Sequence, residues 1–119
     1  MNLGFESELI EFKRSTAQTT RALESLAAML NKSGKGKVYF GVSDNGEVVG
    51  QLIGNKTMKD LSDAIVNRIK PTVVPTITFE NLDGKNIIVV DVEGTNKPYS
   101  ADGNYLIRSG CENKKIEPE

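Results

Sequence analysis

The chain has 119 residues, of which 38% are hydrophobic, and this is enough to form one packed core without disulfides or a structural metal. It contains one cysteine, Cys111, and no histidine, which excludes an internal disulfide, Cys/His zinc sites and Cys/His catalysis. Fifteen basic and sixteen acidic residues give a net charge of −1, which argues against a protein that coats polyanions over its whole surface.

No apolar stretch is long enough to cross a bilayer, and the N-terminus lacks a signal-peptide pattern. We therefore expect a single cytoplasmic domain over residues 1–119 that has no membrane partner.

The first part of the chain predicts a strand and then a helix. Leu9–Lys13 alternates between its two faces, as a short strand does. Apolar residues then recur at helical spacing between Leu23 and Leu30, and Ser33-Gly34 can end the helix, so we expect it over Thr19–Lys32.

The middle of the chain predicts a hairpin and a second helix. Lys37–Val42 is the second strand, and Asn45-Gly46 favours a tight turn into Val48-Val49. From Thr57 onward an apolar stripe follows helical spacing until Pro71 ends the helix.

The last part predicts strands joined by tight turns. Thr76–Glu80 and Asn86–Val92 flank Asp83-Gly84, and Asn104–Arg108 follows Asp102-Gly103. Two helices with hairpin-linked strands predict an α+β fold, in which a mixed, largely antiparallel sheet of five to six strands packs against both helices.

Acidic residues near the first two strands are candidates for a metal site. Glu6 and Glu11 flank the start of the first strand, and Asp44 follows the second. Carboxylates that converge there suit Mg²⁺ or Mn²⁺ and phosphodiester hydrolysis. The same spacing also suits solvent-facing acids and an ordinary turn aspartate, and both interpretations stay open.

Basic residues concentrate between residues 13 and 37, where Glu24 is the only acid. Such a segment contacts phosphates if its side chains share a face, and otherwise only makes the surface soluble. Together with one residue of the last strand, the residues predicted to contact nucleic acid are Lys13, Arg14, Lys32, Lys35, Lys37 and Arg108.

Several motifs, in order along the chain, resemble those of the Schlafen and AlbA-like DNA-binding domains. Glu6–Lys13 resembles the opening E-S-x-x-x-E-F-K, and Gly41–Gly50 resembles G-V-x-D-x-G-x-V-x-G. Lys97-Pro98-Tyr99 and Tyr105–Gly110 resemble the later K-P-Y and Y-x-x-R-x-G elements. The loop 31–36 departs from the family's N-T-x-G-G, because a lysine separates its glycines.

The resemblance implies two functions. Similar bacterial domains form the N-terminal part of transcriptional regulators and helicase-related proteins, which implies a DNA- or RNA-binding domain excised from a longer protein. In the Schlafen branch the resemblance implies a divalent-metal-dependent RNA endonuclease, whose three carboxylates fall on Glu6, Glu11 and Asp44. In the nuclease hypothesis, the positive charge of Lys13 offsets the negative charge of the substrate phosphate.

Three interpretations therefore stay open. We favour a nucleic-acid-binding module of a transcriptional regulator, which needs no cofactor. The second is a nuclease that uses Mg²⁺ or Mn²⁺. The third is a module for self-association or partner docking, and a homo-oligomer is also expected if substrate must be enclosed between two such lobes.

Overall fold

The computed structural model describes residues 1–117, which form two helices and eight strands. The helices are α1 (Thr19–Ser33) and α2 (Thr57–Arg68). The strands are β1 (Ile10–Lys13), β2 (Lys35–Phe40), β3 (Ile69–Lys70), β4 (Thr76–Leu82), β5 (Lys85–Glu93), β6 (Ser100–Ala101), β7 (Asn104–Ser109) and β8 (Glu112–Lys115).

Both helices lie where the apolar spacing predicts them. A short 3₁₀ turn precedes α1, and the Ser15 side chain accepts a hydrogen bond from the Ala17 amide in its first turn. Helix α1 ends at Gly34, which has a left-handed φ of 74° and donates its amide hydrogen to the carbonyl oxygen of Leu30. Helix α2 ends at Arg68, shortly before Pro71.

The strands form two sheets of four. The first has the order β1-β2-β5-β4, with β1 parallel to β2 and the other pairs antiparallel. The second has the order β3-β6-β7-β8 and is antiparallel throughout. The predicted α+β class is confirmed.

The number of strands and their division into two sheets differ from the sequence-based expectation. Strands β3 and β6 have two residues each, so they are too short to show an alternating pattern. Strand β8 has the sequence Glu-Asn-Lys-Lys, which carries no apolar signal at all.

The three predicted turns have different outcomes. Asp102-Gly103 joins β6 to β7 with positive φ at both residues, as predicted. Asp83-Gly84 closes the β4–β5 hairpin with positive φ at both residues, as a two-residue turn requires. Asn45 and Gly46 also lie in a turn, but only an isolated bridge between Val42 and Val48 follows it. Both edges of β2 are already taken by β1 and β5, so no longer hairpin forms there.

One core cluster joins the two sheets. It contains the apolar face of α1, Val38 and Val90 from the first sheet, and Ile69 and Ala101 from the second, all buried. A smaller cluster around Phe12 covers the opposite face of the first sheet. No helix within the described residues is long and apolar enough to cross a bilayer.

Candidate functional site

The acidic residue of the first motif lies in a buried ion pair. The Arg108 Nη1 atom is 2.7 Å from Glu11 Oε1, and the arginine side chain has no exposed surface. Ser25 of α1 donates its hydroxyl hydrogen to the same Glu11 oxygen at 3.1 Å. Asn113 of β8 donates in turn to Ser25 Oγ at 2.9 Å. Side chains from α1, β1, β7 and β8 therefore meet in one network.

The remaining donors of Arg108 bind the N-terminal segment and β8. Its Nη2 donates to the carbonyl oxygens of Ser7 at 2.8 Å and Ile10 at 3.2 Å, and Nη1 also donates to Asn113 Oδ1 at 2.8 Å. A guanidinium with these partners and no exposed surface cannot also contact phosphate. This corrects the expectation that Arg108 is part of a nucleic-acid-binding face, since its position in β7 turns the side chain inward.

Glu6 lies beside Glu11. One of its oxygens accepts a hydrogen bond from the Phe12 amide at 2.9 Å. Burial, a hydrogen bond with the Glu11 carboxyl and the negative charges of Glu11 and Asp44 raise the pKa of Glu6 from 4.5 to about 7, against the opposing effect of the Phe12 amide. Glu6 therefore tends to hold a proton that it shares with Glu11.

Glu11 behaves in the opposite way. Burial acts to raise its pKa, but the hydrogen bonds from Glu6 and Arg108 and the positive charges of Lys13 and Arg108 outweigh burial and lower it. The Lys13 ammonium is 3.5 Å from Glu11 Oε2. Lys13 is therefore a second positive partner of this carboxylate, beside Arg108.

The predicted metal ligands are only partly brought together. Glu6 and Glu11 are adjacent, while Asp44 is exposed and acts on Glu6 through its charge. Glu11 is already bound by Ser25 and Arg108, so its oxygens fit a divalent ion poorly. Within residues 1–117 no group of three or more acidic, histidine or cysteine residues is placed to hold a metal ion. The Mg²⁺ or Mn²⁺ site stays a prediction.

The predicted basic residues divide between the two ends of α1. Lys13 is opposite Phe40 at the end of β2, close to where α1 begins, and Arg14 follows it. Lys32 and Lys35 lie where α1 ends. A helix of fifteen residues is about 22 Å long, so the two pairs are well separated.

Lys37 differs from Lys32 and Lys35, because a carboxylate lies close to its ammonium group. Its ammonium is 3.6 Å from Asp91 and 5.7 Å from the Tyr39 ring centroid. An open groove of about 590 Å³ at this end of the first sheet is lined by two basic and two acidic residues, namely Lys35, Lys37, Asp91 and Glu93. The charges in the groove are balanced, so it offers no strong attraction to a polyanion.

Lysines concentrate at the end of the molecule where α1 ends. The Gly94 amide donates to the Gly34 carbonyl oxygen at 2.9 Å, which brings the loop that contains Lys97 beside Lys32 and Lys35. All three lysines are exposed, and within the described residues none is within 4.0 Å of a carboxylate oxygen. We call Lys32, Lys35 and Lys97 the lysine cluster.

A buried asparagine holds this end together. Asn31 Nδ2 donates to the carbonyl oxygens of Tyr99 and Leu106, at 2.8 Å each, and Asn31 Oδ1 accepts from the Tyr99 amide at 2.6 Å. The Tyr99 hydroxyl accepts from the Asn96 amide at 2.9 Å. Asn31 and Tyr99 are motif residues, so the family resemblance was the available signal for them. Lys97 was missed as a binding residue because only the tertiary contact places it beside α1.

Comparisons with known proteins agree with this architecture. The DIP2311 protein from Corynebacterium diphtheriae has a similar fold, with a TM-score of 0.75 and 18% sequence identity over 92% of this chain and 25% of that one. The N-terminal domain of an ATP-dependent DNA helicase RecG-related protein from Nitrosomonas europaea gives a TM-score of 0.66 and 23% identity over 96% and 82%.

The chain thus spans about a quarter of the Corynebacterium protein. Identities this low establish the shared fold alone. A search of curated proteins found no match. Residues 6–117 match the family model described as Schlafen, AlbA_2, and because this range covers nearly the whole chain, the protein belongs to that family.

Proposed function

We propose that this domain is a nucleic-acid-binding module that contacts phosphates through the lysine cluster, Lys32, Lys35 and Lys97. Membership of the AlbA_2 family supports a role related to nucleic acid. The similar Nitrosomonas domain comes from a protein named for its relation to a DNA helicase. In this proposal the domain positions a larger regulator on DNA or RNA.

The observation that carries the proposal is that, among the described residues, no carboxylate oxygen lies within 4.0 Å of the lysine cluster. Its ammonium groups are not engaged in these ion pairs, whereas Lys13, Lys37 and Arg68 lie close to acids. Glu93, opposite Lys35 in the β2–β5 ladder, is the nearby acid that weakens the local field. Phosphate contacts of this kind release counterions, so binding depends steeply on salt.

The test is a binding titration of labelled single-stranded RNA and of duplex DNA at about 50 and about 200 mM salt. We expect dissociation constants of roughly 10⁻⁴ to 10⁻⁶ M that weaken with salt. The triple variant Lys32→Ala, Lys35→Ala and Lys97→Ala removes about three phosphate contacts, so it should reduce the slope of log K against log salt on duplex DNA by nearly 3.

A matched variant separates this surface from overall charge. Lys59→Ala, Lys70→Ala and Lys85→Ala remove the same number of charges from exposed sites in α2, β3 and β5. We expect this control to bind almost as tightly as the original chain. Equal weakening by both triple variants would contradict the lysine cluster, and no binding at low salt would favour the partner-docking alternative.

The nuclease alternative has its own measurement in the same experiment. If Glu6, Glu11 and Asp44 hold a metal ion, strands incubated with Mn²⁺ should be cut, and a chelator should prevent cutting. The adjacent Glu6 and Glu11 carboxyls favour this alternative, and the commitment of Glu11 to Arg108 disfavours it. We expect intact strands.

A further inference from the structure

Strand β4 is an edge strand of the first sheet, and its outer side has no hydrogen-bonding partner within the described residues. The opposite edge, β1, is covered: Glu6 accepts from the Phe12 amide, and Arg108 donates to the Ile10 carbonyl oxygen. An uncovered edge is a template for pairing with another strand.

The β4–β5 hairpin determines which backbone groups are free. In a two-residue hairpin the flanking residues, here Leu82 and Lys85, exchange backbone hydrogen bonds with each other. Hydrogen bonding then alternates along the strand, so Thr78 and Glu80 also bond to β5. The amide and carbonyl groups of Ile77, Phe79 and Asn81 consequently point away from the sheet.

The composition of this edge gives it little of the protection that edge strands normally have, since Glu80 is its only charged residue. Strand β4 reads Thr-Ile-Thr-Phe-Glu-Asn-Leu and contains no lysine and no proline. Phe79, at its centre, is 61% exposed. Its side chain shares a face with Ile77, which packs against the core cluster, so the aromatic ring extends the apolar surface to the edge.

We propose that β4 pairs antiparallel with β4 of a second copy of this chain, with Phe79 on the two-fold axis. The two first sheets then form one continuous sheet of eight strands. Phe79 of each copy lies next to its equivalent on the same face, and such aromatic cross-strand pairs stabilise a sheet. The pairing covers the exposed Phe79 ring and also gives the free backbone groups of β4 hydrogen-bonding partners.

Three registers allow the free groups to bond while most of the strand overlaps, and only one of them suits the sequence. Centring the pair on Glu80 places the two like charges directly opposite each other, which is destabilising. Centring it on Thr78 places Asn81 opposite Pro75, which has no amide hydrogen to donate. Centring it on Phe79 overlaps all of Thr76–Leu82 and places Glu80 opposite Thr78.

The Phe79-centred register favours a second copy over an unrelated peptide, because in it β4 supplies partners for all of its own free backbone groups and for its own exposed ring. The contact involves one strand from each copy and lies at the small end of protein interfaces, so the dimer should be reversible. The proposed dimer does not depend on the proposed binding of nucleic acid.

The test is sedimentation velocity of the chain between about 1 μM and about 1 mM, a range that brackets weak association. We expect the mass to rise toward twice that of one chain. Phe79→Lys and Phe79→Glu should each stay monomeric, because each places like charges opposite one another at the axis. An equimolar mixture of the two variants should associate again, since opposite charges then meet.

Phe5→Lys is the matched control, because Phe5 is 89% exposed and lies outside the strand. It should dimerise like the original chain, and circular dichroism checks that each variant is folded. A monomer throughout the concentration range, no association in the mixture, or equal loss in Phe5→Lys would overturn the proposal.

Discussion

At the scale of single residues, the motif residues mainly support one another. Arg108 binds Glu11, Ser7, Ile10 and Asn113, and thereby joins the second sheet to the start of the first. A buried pair of this kind contributes little net stability compared with apolar packing. Removing one partner is costly, because the other charge stays buried without compensation.

Arg108→Ala should therefore destabilise the fold by about 3–5 kcal/mol, because Glu11 keeps only the more distant Lys13 as a counter-charge and the Arg108 hydrogen bonds to Ser7, Ile10 and Asn113 are lost. Urea denaturation measures the free energy of unfolding. Arg68→Ala is the control: its pair with Asp102 is about one-third exposed on each side and should contribute no more than about 1 kcal/mol. Similar losses in both variants would contradict the role assigned to the Arg108 network.

Glu6 should make stability depend on pH. Its pKa is raised from 4.5 to about 7, so between these values the folded chain holds a proton that the unfolded chain lacks. The free energy of unfolding should therefore fall as pH rises through this window. Glu11 acts oppositely: its lowered pKa contributes stability that is lost as pH falls below 4.5.

Glu6→Gln should flatten the decline between pH 4.5 and about 7, because the amide cannot lose a proton there. Urea midpoints measured across that range provide the comparison. The exposed Glu8 supplies the control, and Glu8→Gln should keep the slope of the original chain. An unchanged slope in Glu6→Gln would show that the proton is held elsewhere.

At the scale of elements, close packing of α1 on β2 depends on one glycine. A Cβ atom on Gly36 would lie 2.6 Å from the Cβ of Met29, well inside van der Waals contact. Met29 is fully buried in the core cluster, so the methionine has little room to move. The helix approaches the sheet this closely only because Gly36 has no side chain.

Gly36→Ala should consequently cost about 1–3 kcal/mol through overpacking. Thermal and urea unfolding both measure this loss. At Gly54 an added Cβ meets nothing nearer than 3.7 Å, so Gly54→Ala should leave stability nearly unchanged. If Gly36→Ala were as stable as this control, the packing of α1 would be looser than the structure shows.

At the scale of the whole molecule, α1 lies between two sheets that share one core cluster. Val38 and Val90 come from the first sheet, and Ile69 and Ala101 come from the second. If α1 separated from either sheet, apolar residues of the shared core cluster would be exposed to water. This arrangement supports the prediction that the chain is one domain.

Unfolding should therefore be a single cooperative transition. Urea titration followed by NMR signals of Val38 and Ala101 should give the same midpoint as far-UV circular dichroism. The amide of Leu52, whose side chain is 94% exposed in a loop, should exchange without global unfolding and serves as the local reference. Separate midpoints for the two sheets would contradict one shared core.

Much of the fold could be predicted from short-range patterns. The helical spacing that ends at Gly34, and the Asp83-Gly84 turn with its positive φ values, are properties of neighbouring residues, and both are confirmed. The family, too, could be identified from short motifs in the sequence, and the match over residues 6–117 confirms it. These features are local because backbone sterics and side-chain period act over a few residues.

The tertiary structure alone decided which charged groups remain available to bind a ligand. Arg108 lies 97 residues from Glu11 along the chain, and no local pattern indicates that the two are bonded. The basic residues are close in sequence, but α1 separates Lys13 from Lys35, while a backbone hydrogen bond between Gly94 and Gly34 brings the loop that contains Lys97 to the end of α1. Charge is a property of each residue, whereas its burial and its neighbours depend on contacts between distant segments.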